Sequence, residues 1–188
     1  MTTATNLAAP PIRLTADEFA QQYGGQYVEL IDGLVQEIPV PFQEHGTICW
    51  KAAFAFGTHI VANDLGHLTT NDSFVITQSD PDRIREADIC FFSYERIAKG
   101  PFPKGLGRVS PDLIVEVRSP SQGWDDVFKK VSEYLAVGVR VVVVLDIAIM
   151  AAAVYRKDEF QQIFDNGDDL TIPDILPGFS VPVRKLFE

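Results

Sequence analysis

The sequence predicts a mixed α/β (α+β) fold, a mixed β-sheet flanked by helices, and three observations predict it. Helix-like and strand-like segments follow one another as helix, hairpin, helix, strands, helix and strands, which suits a mixed sheet with helices packed against it. Residues 141–145 are an unbroken apolar run, four of the five β-branched, the mark of a strand buried on both faces. Near the N-terminus, Asp32-Gly33 separates two strand-like segments and signals a tight hairpin.

The elements follow in order. Thr15 and Glu18 have the spacing of a capping box, so a short helix is expected over residues 16–23. Strands at 27–31 and 34–40 flank the Asp-Gly turn, with Pro39 and Pro41 closing the second. Apolar Ile48, Ala52, Ala55 and Phe56 on one side make residues 44–61 a helix. Strand-like segments cover 68–77 and 84–93, followed by a helical turn at 94–99 and a Gly/Pro-rich loop at 100–107. A strand at 113–119 leads into a helix over 124–137, closed by Gly138. Residues 151–156 and 159–164 form a last hairpin turning at Lys157-Asp158.

A chain of 188 residues fits one domain, expected over 13–188 behind a flexible tail at 1–12. Its apolar fraction of 46% suffices for a core without disulfide or metal staples. The net charge of −10 argues against strong non-specific binding to nucleic acid, although it leaves room for a local basic groove. Cys49 and Cys90, without regular spacing, imply no disulfide framework and read as small buried residues. No signal peptide is expected, and the apolar runs are too short to span a bilayer. A soluble, cytoplasmic protein with no membrane partner is therefore expected.

Three places put charge where a core pattern calls for apolar residues. Asp88 stands mid-strand in Arg85-Glu86-Ala87-Asp88. Strand alternation sets Asp112, Ile114, Glu116 and Arg118 on one face and Leu113, Val115 and Val117 on the other, so Glu116 lies inside an apolar strand. A buried ionised carboxylate needs a cation or a proton. In the following helix, Trp124, Val127, Val131, Tyr134 and Leu135 make the buried stripe, and Lys130 lies about 60° from Val127 and about 40° from Tyr134. Lys130 thus leans over the sheet, while Lys129 points to solvent with Asp125 and Glu133 as helical partners. Two carboxylates and a lysine suit metal-assisted phosphodiester cleavage, in which Mg²⁺ takes hard oxygen ligands and an ammonium offsets phosphate charge. Periodicity alone favours a buried ion-pair network over a metal site.

The segments around Glu29 to Gly33, Arg85 to Asp88, Pro111 to Ser121 and Lys130 to Val139 occur here in order. Together they resemble the Uma2 (DUF820) family over about residues 13–185. The resemblance implies a restriction-endonuclease-like PD-(D/E)xK fold, with an N-terminal helix and hairpin, and a metal-dependent endonuclease acting on DNA. It implies that Asp88 and Glu116 hold Mg²⁺, with Mn²⁺ as a substitute, and that the backbone carbonyl of Val117 is a further ligand. Lys130 becomes the motif lysine, moved from the strand onto the helix. Glu29 matches the glutamate before the family's Asp-Gly turn, and His45 a histidine after the hairpin; both are accessory. Ala87 replaces the usual proline, and Arg118 occupies the position of an undisplaced lysine, where it assists, replaces or neutralises Lys130. A homodimer is expected, since such nucleases often cut two strands and residues 141–155 are very apolar.

Other candidates carry less. His45 and Cys49 are one helical turn apart, but a zinc site needs about four ligands and the sequence supplies no others. Ser119 and Ser121 lack a histidine base, and the Gly100–Gly107 region lacks a phosphate-loop pattern. Two rivals remain: a non-catalytic interaction module that keeps the nuclease fold, and a small metal-dependent hydrolase or RNA-processing enzyme.

Overall fold

A computed structural model describes residues 11–188. The expected tail lies outside the described residues except for Pro11 and Ile12.

Local chemistry sets the entry to the fold. Helix α1 (Ala16–Tyr23) begins with both halves of the capping box: Thr15 Oγ1 accepts from the Glu18 N–H, and the Glu18 carboxylate accepts the Thr15 N–H at 2.8 Å. Ala16 and Phe19 pack on the hairpin of β1 (Val28–Ile31) and β2 (Leu34–Glu37). Asp32 and Gly33 are both left-handed at the turn, with φ of 51° and 79°. A Cβ on Gly33 would also meet the Arg13 side chain at 2.8 Å, so backbone conformation and space both select glycine there.

Helix α2 (Gln43–Ala62) is followed by β3 (Gly66–Gln78), β4 (Arg83–Ser93), β5 (Leu113–Arg118), α3 (Trp124–Ala136), β6 (Val141–Asp146), β7 (Ala151–Arg156) and β8 (Gln162–Phe164). Eight strands make one mostly antiparallel sheet in the order β2-β1-β4-β5-β6-β7-β8, with β3 paired along β4. Strands β5 and β6 run parallel, joined by the α3 crossover. A small second sheet, β9 (Asp169–Thr171) with β10 (Ser180–Pro182), and the short α4 (Arg184–Phe187) follow.

Two cores sit on opposite faces of the main sheet. Ile48, Ala52 and Phe56 of α2 pack on Ile89, Phe91, Val115, Val117, Val143 and Leu145. Val127, Val131 and Tyr134 of α3 pack on Cys90, Ile114, Val142 and Val144. Strand β6 sends alternate valines into each core, which is why its sequence has no polar alternation.

That burial corrects one expectation. Of residues 141–155, only the turn at 148–150 is exposed, so most of the apolarity of this stretch is consumed inside the chain, and of its large apolar side chains only Ile149 and Met150 reach the surface. Strand β8 is also shorter than expected, starting at Gln162.

Candidate active site

The charged residues of the core strands meet at one end of the sheet, where α2 and α3 overhang it. Strand β1 brings Glu29, β4 brings Glu86 and Asp88, and β5 brings Glu116 and Val117. Helix α3 contributes Lys130 and Tyr134, one turn apart, and α2 contributes His45 and Cys49 with the same spacing.

One half of the cluster is a chain of hydrogen bonds and ion pairs. Lys130 Nζ lies 2.8 Å from Glu29 Oε1 and 4.0 Å from Glu116 Oε2, and it donates to the Glu86 carbonyl at 3.1 Å. The Tyr134 hydroxyl donates to Glu116 Oε1 at 2.7 Å. Burial alone would depress the Lys130 ammonium, but Glu116, Glu29 and Asp88 outweigh it and hold its pKa above the usual lysine value. Glu116 moves the other way from an ordinary ion-pair partner. Its burial, with Asp88 and Glu29 adding to it, overcomes the lysine and pushes its carboxyl pKa up.

The other half gathers around Asp88. Its Oδ2 accepts the Val117 N–H at 2.7 Å and lies 3.5 Å from His45 Nε2. Burial lowers the His45 pKa, yet Asp88 and the Val117 carbonyl together raise it above the ordinary value. Cys49 Sγ is 3.5 Å from His45 Nδ1, and the three ligand atoms of His45, Cys49 and Asp88 lie within 4.8 Å of one another. The third ligand that the sequence did not supply for His45 and Cys49 thus comes from β4. Burial, reinforced by Asp88, pushes the Cys49 thiol pKa up. Glu116 stands outside this trio, turned toward Tyr134 and Lys130.

With this geometry in place, the comparisons with known proteins decide the family. The Uma2 family model, described as "Putative restriction endonuclease", matches residues 16–184. The chain belongs to the Uma2 family. A crystal structure from Anabaena variabilis ATCC 29413, described as "a putative nuclease belonging to DUF820", aligns with a TM-score of 0.77 and 21% identity, covering 94% of this chain and 98% of that one. At that identity the likeness speaks for a shared nuclease-type fold. No curated protein matches the chain.

Other residues of this Uma2 chain fall in places the sequence did not indicate. Arg118 does not reach over to Lys130. Its Nη1 bonds Asp146 Oδ1 at 2.9 Å, directly across the parallel β5–β6 pair, and its guanidinium covers the Trp124 ring at 4.8 Å. Glu133 leaves Lys129 for Arg83 and Arg85, the latter through bonds of 2.6 and 3.0 Å. Arg85 also bonds Glu29 at 2.6 Å, which fixes the carboxylate that holds Lys130.

Three residues of the cluster were missed. Tyr134 read as core, and it is fully buried, but its hydroxyl belongs to the site. Glu86 is 6% exposed, its Oε2 has no partner, and burial beside Asp72 and Glu29 pushes its pKa up to about 8. Asp72 enters through a bulge in β3: the register against β4 slips between Thr70 and Ser73, and Asn71 and Asp72 adopt left-handed φ of 64° and 55°. That turn sets the Asp72 carboxyl beside Asp88, and burial with the Asp88 charge raises its pKa. The signal was Asn-Asp-Ser inside a strand-like segment, two residues that tolerate left-handed backbone where a bulge re-aims a side chain.

No helix of the described residues is long and apolar enough to cross a membrane.

Proposed function

We propose that this Uma2 chain is a Mg²⁺-dependent endonuclease that hydrolyses DNA phosphodiester bonds. The observation that carries the reading is an excess of acid, with Glu86 and Glu116 buried and Asp72 half-buried: all three have raised pKa values, and Lys130 is the one ammonium beside Glu116 among the described residues. An ion-pair network built for stability balances its charges, whereas Glu116 and Glu86 here are buried beside further carboxyls without a close cation of their own.

The donor set fits a hard cation. Asp88, Glu116 and the Val117 carbonyl would supply oxygen ligands, with His45 beside them. When bound, the ion would activate water and offset charge on the phosphate, with Mn²⁺ able to replace Mg²⁺. Lys130, held protonated by its carboxylate neighbours and braced by Glu29, orients the attacking water or offsets phosphate charge. Tyr134 fixes one Glu116 oxygen so that the other faces Lys130. His45 steadies Asp88 from the opposite side.

Nicking of supercoiled plasmid in Mg²⁺ and in Mn²⁺ tests the reading, with Glu116→Ala purified in parallel. Nicking by the wild type that disappears in the variant is the expected result. Equal nicking by both preparations, or none by either, rejects the proposed site on this substrate.

A further inference from the structure

A cavity of about 790 Å³ opens against the acidic cluster and is not used by the chemistry proposed above. Its volume lies in the range of small-molecule sites, roughly 300–1,000 Å³. Asp72 and Glu86 form part of its wall, so it borders the carboxyl cluster on their side, while Glu116 and Lys130 line a separate, closed crevice. Phe74, Phe92 and Phe102 line the apolar side, beneath the loop that follows β4. Phe102 is 40% exposed and meets Phe92 edge-on at 5.4 Å, so its ring is accessible from the cavity side of the loop. Lys104 stands exposed in the same wall and has no ion-pair partner among the described residues.

We propose that this cavity receives one unstacked base of the substrate strand, so that the enzyme acts on single-stranded or locally unpaired nucleic acid in preference to intact duplex. The inference rests on the nuclease reading and names the substrate form for the same site. Aromatic rings hold any base by its π-face, independently of sequence. Enzymes that need a nucleotide outside the helix take it from single strands or extrude it into a pocket beside the reacting groups. Asn71, Asp72 and Ser73 form the polar part of the wall and suit the edge of a base. Lys104 supplies a cation for the phosphate of the captured nucleotide. With an overall charge of −10, affinity must come more from stacking than from neutralising many phosphates at once.

The test measures fluorescence anisotropy of a labelled single-stranded 12-mer and of its duplex, in Ca²⁺, with the full chain, Phe102→Ala and Lys104→Glu. Cleavage of both nucleic acids in Mg²⁺ is measured in parallel, and thermal unfolding shows that the variants fold. The expected result is single-strand binding about tenfold tighter than duplex binding, weakened about tenfold by Phe102→Ala and also by Lys104→Glu. Equal binding by the wild type and both variants overturns the cavity assignment, even if cleavage is seen. Duplex bound as tightly as single strand overturns it as well. Single-strand binding that both variants weaken, with no cleavage of either nucleic acid, upholds the cavity and rejects the nuclease reading alone.

Discussion

Strand β5 carries a buried carboxylate near each end, and the two are treated in opposite ways. Asp112, just before the strand and 2% exposed, accepts the Ser93 N–H and the Arg96 Nε, both at 2.8 Å, with Arg140 Nη1 at 3.6 Å. Glu116, 8% exposed, has a neutral phenol at 2.7 Å and its lysine no closer than 4.0 Å, among further carboxylates. Both are buried within five residues of one another, so burial alone does not separate them. Asp112 has the cations that a structural acid needs, and Glu116 lacks them. The fold is complete in itself at the Asp112 end and leaves the Glu116 end open to a further cation.

The largest expected effect breaks the saturated end. Asp112→Ala leaves Arg96 without its carboxylate and is expected to lower stability by about 3 kcal/mol in urea unfolding, while the folded protein keeps its cleavage activity. Glu116→Gln should do the reverse: cleavage falls about 100-fold or more in a nicking assay, with stability changed by less than about 1 kcal/mol, because the amide oxygen still accepts from Tyr134. Should both variants lose stability equally, the two ends are alike and the contrast fails. Tyr134→Phe sharpens the comparison, since removing one buried hydrogen bond is expected to destabilise by about 1 kcal/mol and to loosen Glu116. Cleavage unchanged in that variant would show that the phenol does not position the carboxylate.

The smallest effect is a pH dependence confined to the acidic end. Glu86 has a folded pKa of about 8, above its ordinary value of 4.5, so between those values the native state holds a proton that the unfolded chain has released. Stability of the metal-free protein should therefore fall as pH rises through that window, with Glu116 adding in the same direction. Melting temperatures in chelator at pH 5 and pH 8 check the sign, and Glu86→Gln should flatten the slope.

Much of this contrast was legible in the sequence. Glu116 stood out as a charge inside an apolar strand, and helical phase placed Lys130 at the edge of a buried stripe, which is where α3 delivers it. What stayed hidden depended on tertiary pairing. Arg118 is held by Asp146, its opposite residue on a parallel strand 28 positions away, and no local period announces that register. Glu133 obeyed the helical rule for Lys129 until two arginines from β4 offered better bonds. Asp72 was obscured because strand periodicity assumes an unbroken ladder, and the bulge at Asn71 and Asp72 breaks it. Strands β9 and β10, three residues each, are too short for a period to register.

The central claim is that the Glu116 end is short of a cation and the Asp112 end is not. Its most direct test is the melting temperature of the wild type, Glu116→Gln and Asp112→Asn, each with and without millimolar Mn²⁺. Mn²⁺ should raise the melting temperature of the wild type and of Asp112→Asn, and leave Glu116→Gln nearly unchanged. No rise in the wild type, or the same rise in Glu116→Gln, would contradict it.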